Sequence, residues 1–395
     1  MAANEKITPR RVLIFGNENC GLIHNLCKGL NELGGYTVNT AICQADPFFP
    51  TNKYDYNFQR PQRISGNKYF TKIRHLFDLL KWRIKLFAFE KLTFFKYDLY
   101  IFTWQTLRAD FSDLKILREK GKDIVFLFIG SDVRWIEAFH QEFPDNPYKG
   151  SVNEDWVRKF KLMRMGELYA SSIFSVPDQS TLFIRGYYHM FMPIDINGIT
   201  FSPTFRKKPL IIHAPSKRDI KGTGIILSAI EQLRKEGVAF DFELLENLDN
   251  QTILRRLEQA DILVDQLFLH GPATLSTEAM ASGCAVATRY FKQYELTNGA
   301  SIFYIDEKSV LDGLRQLIQD IDLRKSLVYK AKDYVATHNT FVSMASKIVD
   351  SIQRDKNGDF DYYPDFFINK FTLPPAYSYP QEITVLNQMV TSKYS

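Results

Sequence analysis

Two stretches of sequence decide the fold of this chain: residues 213–222, HAPSKRDIKG, and residues 260–286, ADILVDQLFLHGPATLSTEAMASGCAV. In each stretch a short apolar strand ends, a polar loop follows, and a helix begins. The same alternation of strands and helices runs through nearly the whole chain. Apolar strands separated by helices predict parallel sheets that are covered by helices on both faces.

The alternation begins near Arg11, where RVLIF is typical of a buried strand, and it begins again near Lys208, after a polar, proline-containing segment at 197–208. A chain of 395 residues suits two α/β domains better than a single core. We therefore predict two Rossmann-like domains, residues 1–198 and residues 199–338. Residues 339–395, a last helix and an aromatic tail, are expected to pack back on the body of the protein.

Both loops of the second half have the features of an anion-binding site. The first loop carries Lys217, Arg218 and Lys221 just before Gly222 opens a helix. Free N–H groups at a helix N-terminus favour negative charge, and an arginine fork beside a lysine point charge suits a diphosphate. The alternative interpretation of this loop is a solvated basic turn.

The second loop leads into a helix near Thr274, and Glu278 lies about one turn into that helix. A carboxylate at this place can accept hydrogen bonds from ribose hydroxyls, or it can simply complement the helix dipole. Ligands of open α/β sheets lie outside the carboxyl ends of the strands, and both loops leave such ends. The two loops together therefore predict one site for a nucleoside diphosphate.

The composition excludes several classes of protein. Apolar residues make up 45% and charged residues 24%, as in ordinary globular proteins. The net charge of +5 comes without a dense block of lysine and arginine, so no nucleic-acid partner is expected. The four cysteines follow no zinc or disulfide spacing, the first residues do not form a signal peptide, and no apolar run approaches ~18 residues. These features predict a cytoplasmic protein.

The run from His213 to Val286 resembles the donor-binding half of retaining glycosyltransferases of family four. In that family a basic loop ending in Lys-Gly and a later Glu-Ala-Met-Ala-x-Gly helix bind the nucleotide diphosphate, and Arg218, Lys221 and Glu278 fall on those positions. The resemblance implies the GT-B fold, an α/β architecture of two Rossmann-like α/β/α domains facing across a cleft. It makes the first domain the acceptor side and the second the sugar-nucleotide side.

The resemblance also implies an activity. A sugar would pass from a nucleoside diphosphate sugar, a UDP-sugar being favoured over a GDP-sugar, to an acceptor hydroxyl with retained configuration. The acceptor would be a glycan, a lipid-linked glycan or a protein glycan, and neither a metal nor a cofactor is expected. Many relatives carry two glutamates eight positions apart, whereas this chain has His270 at the first position. An inactive sugar-nucleotide-binding protein, an epimerase or a phosphorylase are the alternatives.

Two loops of the first half are candidates for the remaining contacts. The loop from Gly16 to Gly21 follows the first strand and lacks G-x-G-x-x-G spacing, which disfavours a dinucleotide oxidoreductase. The run from Gly130 to Arg134 also belongs to the resemblance, although relatives often have histidine where this chain has Ile129. Asp132 would orient an acceptor hydroxyl or accept its proton. The alternative for the loop from Gly16 to Gly21 is a tight structural turn. The alternative for the run from Gly130 to Arg134 is a structural Asp–Arg pair.

The candidate site residues fall into a catalytic set and a substrate-binding set. The predicted catalytic residues are Asp132, Arg218, Lys221 and Glu278. The predicted substrate-binding residues are Gly16, Asn17, Gly130, Ser131, Arg134, Ser216, Lys217, Gly222, His270, Gly271, Ala273, Thr274 and Leu275.

A basic and aromatic stretch at residues 69–96 is predicted to be helical. Lysines and arginines alternate there with Phe, Leu, Ile and Trp side chains. Such a helix can lie on an anionic membrane as a peripheral contact, or it can bury its apolar side against the sheet. The sequence leaves both interpretations open.

Overall fold

The computed structural model describes residues 9–61, 70–134, 139–140, 143–144, 146, 156–176, 183–290, 302–362 and 381–394. The chain divides into two compact units. The first comprises residues 1–134, 155–190 and 345–395, and the second comprises residues 135–154 and 191–344. The domain limits predicted from the sequence are 198/199 and 338/339.

The first unit is built on a parallel sheet of seven strands in the order β3-β2-β1-β4-β5-β6-β7. Strand β1, which has a neighbour on each side, has five consecutive buried residues, because a strand covered on both faces must be apolar throughout. The strands are β1 (Arg10–Asn17), β2 (Tyr36–Gln44), β3 (Tyr56–Asn57), β4 (Leu99–Thr103), β5 (Asp123–Phe128), β6 (Ser172–Ser175) and β7 (Tyr188–His189).

Helices connect these strands. They are α1 (Leu22–Leu33), α2 (Phe70–Thr93), α3 (Ser112–Glu119) and α4 (Trp156–Tyr169). The helix predicted within residues 69–96 is thereby confirmed. No helix in the described part of the chain combines the length and the apolar character that a bilayer crossing needs.

The second unit has a parallel sheet of five strands in the order β12-β11-β10-β8-β9. The strands are β8 (Leu210–His213), β9 (Asp241–Leu244), β10 (Ile262–Val264), β11 (Ala285–Thr288) and β12 (Ile302–Tyr304). The helices are α5 (Arg218–Lys221), α6 (Thr223–Lys235), α7 (Asn250–Leu257), α8 (Thr274–Ser282), α9 (Val310–Gln319) and α10 (Ile321–His338). Apolar residues of α6, α9 and the strands form the core of this unit.

After the second unit, helix α11 (Phe341–Lys356) leads the chain back to the first unit, and α12 (Gln381–Tyr394) ends it. Helix α12 packs against α4, with Ile383 and Val390 fully buried and the Tyr394 hydroxyl donating to the Glu167 carbonyl at 2.8 Å. The aromatic tail thus contains a helix that the sequence analysis did not predict. Residues 363–380 lie outside the described residues.

Gly16 lies where β1 meets β4. Its φ of +148° is unusual for a residue with a side chain, and an added Cβ would lie 1.9 Å from the Thr103 carbonyl oxygen. Residue 16 must therefore be a glycine because the two strands approach each other closely here, whether or not the loop also binds a ligand.

We expect Gly16→Ala to lower the free energy of unfolding by about 3 kcal/mol or more, because it adds both backbone strain and a clash. The matched control is Gly121→Ala, since Gly121 also has a positive φ but has no atom within 4 Å of an added Cβ. That change should cost about 1 kcal/mol. Urea denaturation measures both, and equal losses would contradict the close approach at Gly16.

Candidate functional site

The two loops singled out by the sequence leave the same edge of the second sheet. Strands β8 and β10 are parallel neighbours, with Ile211 opposite Ile262. His213, the last residue of β8, ties this edge together: its Nδ1 lies 2.8 Å from the Val264 carbonyl oxygen and its Nε2 lies 2.9 Å from the Thr223 hydroxyl. Burial lowers the pKa of His213 to about 4, so the imidazole is neutral at pH 7.

Lys221 connects the first loop to the second. Its buried ammonium forms an ion pair with Asp265, directly after β10, and donates to the Gln266 side-chain oxygen at 2.9 Å. The Ser276 hydroxyl, in the first turn of α8, donates to the other oxygen of Asp265 at 2.5 Å. The basic loop and the amino end of the Glu278 helix therefore meet at one carboxylate.

Arg218 is paired as well, but at the surface. Its Nε and Nη2 donate to the two oxygens of Glu246 at 2.8 and 2.6 Å, and its side chain is 55% exposed. These hydrogen bonds hold the pKa of Glu246 below its usual value. Arg218 and Lys221, two of the three cations predicted in this loop, thus each have a carboxylate partner within the protein, which the sequence did not predict.

Glu278 is almost completely buried in α8. One carboxylate oxygen accepts from the Asn250 side chain at 2.8 Å, and within the described residues the other accepts no hydrogen bond. Burial raises the pKa of Glu278 to about 7. The N-cap residue of α8, Ala273, supplies no side-chain hydrogen bond, and within the described residues no side chain caps the amides of Thr274 and Leu275.

The loop between β10 and α8 has a defined backbone. The peptide Gly271–Pro272 is cis, and the Gly271 amide donates to the Arg289 carbonyl at 2.7 Å. The Gln266 side chain donates to the His270 carbonyl at 3.1 Å. Gln266 therefore contacts both the predicted cation Lys221 and the loop that carries His270. At the other loop, Ser216 and Lys217 are exposed.

The sequence analysis assigned no role to five residues of this edge: Asp265, Gln266, Ser276, Glu246 and Asn250. The sequence contained a signal for four of them, all except Ser276. Asp265 and Gln266 directly follow β10, and Glu246 and Asn250 follow β9, which is the other neighbour of β8. Because carboxyl ends of parallel strands share one edge of a sheet, polar residues after each strand come together.

In the first unit, the predicted residues of the β1 loop bond to their own surroundings. The Asn17 side-chain oxygen accepts from Gln105 at 2.6 Å, and the Asn17 carbonyl accepts from the Thr103 hydroxyl at 2.9 Å. Next to it, Glu18 is buried and accepts from the Ile23 amide and the Tyr54 hydroxyl, and burial raises its pKa to about 7. These contacts stabilise the start of α1.

Asp132 is also buried in its own turn. Its carboxylate accepts the amides of Gly130, at 2.8 Å, and Ile129, at 3.1 Å, and burial raises its pKa to about 6. The Arg134 carbonyl accepts from Lys159 at 3.0 Å, while Ser131 is exposed. The observed hydrogen bonds of Asp132 stabilise the turn, and its predicted role toward an acceptor stays a prediction.

Neither a family model nor a curated protein matches this sequence. Solved structures, in contrast, do match this chain. A sucrose-phosphate synthase from Thermosynechococcus elongatus is 12% identical over 87% of this chain and 98% of its own, with a TM-score of 0.59. WaaG, a glycosyltransferase involved in lipopolysaccharide biosynthesis, is 14% identical over 87% and 99%, with a TM-score of 0.51.

A third solved structure is a UDP-N-acetylglucosamine 2-epimerase, 12% identical over 91% of this chain and 98% of its own, with a TM-score of 0.50. At these identities the similarity is one of fold. The chain has the α/β fold of these GT-B proteins, as the sequence predicted.

The difference in burial between the two cations can be tested. We expect Lys221→Met to lower the free energy of unfolding by about 3 kcal/mol, because it leaves Asp265 buried without its cation. Arg218→Met is the control and should have a much smaller effect, since its ion pair is exposed. Urea denaturation measures both, and a loss at Arg218 as large as that at Lys221 would contradict this assignment.

Proposed function

We propose that this chain is a glycosyltransferase whose second unit binds the diphosphate of a nucleoside diphosphate sugar between Lys221 and the amino end of α8. The observation that carries the proposal is the contact chain Lys221–Asp265–Ser276, which holds a cation beside uncapped helix amides. Amides and a cation together favour a dianionic ligand. The GT-B fold supports a sugar-nucleotide substrate by analogy.

The observed hydrogen bonds leave donors for the phosphates. An ammonium has three N–H groups, and those of Lys221 that bond to Asp265 and Gln266 leave one over. Arg218 uses Nε and Nη2 for Glu246, which leaves Nη1 on an exposed side chain. Lys221 can therefore stay in its ion pair and still donate to a phosphate oxygen.

The reaction proposed here breaks the bond between the anomeric carbon and the diphosphate. Negative charge develops on the leaving diphosphate, where Lys221, Arg218 and the amides of Thr274 and Leu275 stabilise it. The sugar gains oxocarbenium character, and the acceptor oxygen attacks with retained configuration and no metal ion, while its proton passes to the departing diphosphate. Asp132 is the proposed acceptor-side residue. A glycan or glycoconjugate is the proposed acceptor.

The proposed ribose contact is Glu278. Its buried carboxylate is fixed by Asn250 on one oxygen, which leaves the other for a hydroxyl donor. A UDP-sugar is the proposed donor. His270 stands at the position where relatives have a glutamate. It follows Phe268 and Leu269 in the loop between β10 and α8, and it is the proposed neighbour of the sugar.

A second candidate function is epimerisation of the sugar nucleotide without an acceptor. It is favoured by the similarity of fold to the UDP-N-acetylglucosamine 2-epimerase. Incubation with UDP-sugars in the absence of acceptor separates the candidates. A transferase releases UDP slowly by hydrolysis, whereas an epimerase converts the sugar and keeps it bound to UDP. A chain that binds UDP and does neither with any acceptor is a binding protein.

We expect UDP to bind the protein and the double variant Arg218→Ala with Lys221→Ala to bind it about 100-fold or more weakly, because two charged hydrogen-bond donors are lost. The matched control is Lys208→Ala with Lys235→Ala, two exposed lysines of the same unit. Titration calorimetry measures the affinities, and thermal shifts with UDP, GDP and ADP identify the base. Unchanged affinity in the double variant would overturn the proposed site.

The ribose contact predicts a pH dependence. The pKa of Glu278 is raised to about 7, so the carboxylate is ionised above that pH and protonated below it. UDP affinity should therefore fall about 10-fold as the pH drops below 7, since the ionised acceptor is lost. Glu278→Gln is the control for titration of UDP itself, because the amide does not ionise. Equal pH profiles for both proteins would rule out this role of Glu278.

A further inference from the structure

Among the described residues, helix α2 is held to the first unit along the side that carries Trp82 and Phe89. The Trp82 indole donates to the Phe58 carbonyl at 2.7 Å, and the buried ring of Phe89 packs on the rings of Tyr56 and Phe58 with centroids 4.8 Å apart. Glu90 forms an ion pair with Arg108. These contacts fix the helix on the protein and determine which side faces away.

The opposite side of α2 is apolar and exposed. Its residues recur at spacings of four and three, so they form one stripe. They are Ile73, Phe77, Leu80, Ile84 and Phe87, and they are between 53% and 61% exposed. At 1.5 Å per residue the stripe is about 20 Å long. Leu76 adjoins the stripe and is 65% exposed.

Positive charge borders this stripe. Arg74, Lys81 and Lys85 lie on one flank of the helix, and Arg83 lies on the other. The ammonium of Lys81 lies 5.6 Å from the centre of the Phe77 ring, and that of Lys91 lies 5.2 Å from the Phe87 ring. Long basic side chains that lie along apolar ones can place their charges at a polar boundary while the stems stay in an apolar layer.

The two acidic residues of α2 do not offset this charge at the exposed stripe. Asp78 is half-buried and projects toward the side of Trp82, and Glu90 is held by Arg108. A second copy of the helix would therefore bring cations against cations. An anionic surface is the partner whose charge complements the flanks.

We propose that the outward face of α2, defined by Ile73, Phe77, Leu80, Ile84 and Phe87, docks on the surface of an anionic phospholipid membrane. The apolar side chains enter the boundary between headgroups and acyl chains, and the flanking cations contact lipid phosphates. The helix lies in the plane of the surface and does not cross it. This inference does not depend on the proposed reaction.

The test is co-sedimentation of the full chain with vesicles. We expect binding to vesicles of phosphatidylcholine mixed with phosphatidylglycerol, weaker binding to phosphatidylcholine alone, and a decrease as salt is added. Replacing Ile73, Phe77, Leu80 and Ile84 together by glutamine should reduce binding to background. The matched control is Val385→Gln with Met389→Gln, which removes exposed apolar side chains of α12 and should bind as the unchanged protein does.

A second variant isolates the charge. Replacing Arg74, Lys81 and Lys85 by glutamine should weaken binding to the anionic vesicles about 100-fold, which corresponds to about five-fold for each cation. The same change at Lys53, Lys115 and Lys120, exposed lysines of the same unit, should weaken it much less. Circular dichroism and thermal unfolding report whether each variant is folded.

Two outcomes would overturn the proposal. One is that the unchanged protein stays in solution with anionic vesicles at low salt. The other is that sedimentation velocity shows a dimer that the apolar variant abolishes, while vesicle binding is the same for that variant and the unchanged protein. In the second case the stripe is an interface between copies of the chain.

Discussion

The buried ion pair between Lys221 and Asp265 is the contact on which the proposed binding edge of the second unit depends. Burial of two charges costs free energy that their attraction offsets only when further hydrogen bonds satisfy them. Gln266 and Ser276 supply those hydrogen bonds. The pair therefore joins α5, the end of β10 and the first turn of α8. A cation held in this way needs little rearrangement when an anion arrives.

Much of the fold was predictable, because buried strands of a parallel sheet are apolar throughout and leave a clear pattern. The strand predicted at residues 11–15 is β1 (Arg10–Asn17), and the restart predicted near Lys208 is β8 (Leu210–His213). The two-residue strands β3 and β7 have no such pattern. Helix α12 buries few apolar residues, among them Ile383 and Val390, and a tail rich in tyrosine and proline precedes it, so periodicity gave no signal.

The candidate site was predictable in its cations and not in its anions. Lys221 and Arg218 stand in a short loop before a glycine, and that local pattern is visible in the sequence. Their partners Asp265 and Glu246 are distant along the chain and become neighbours only through the strand order β10-β8-β9. Asp132 shows the opposite case, since a local motif suggested chemistry and the structure shows its carboxylate bonded to the amides of its own turn.

The return of the chain through α11 and α12 has a consequence for how the protein is made. A ribosome releases residues from the amino end, so the chain from 191 to 344, with the whole second sheet, emerges before the helix that covers α4 exists. Until then, Glu167 and Arg164 of α4 lack the hydrogen bonds that they form with Tyr394 and Asn387 in the folded protein. The first unit therefore receives the helix that buries Ile383 and Val390 only after the second sheet has been made.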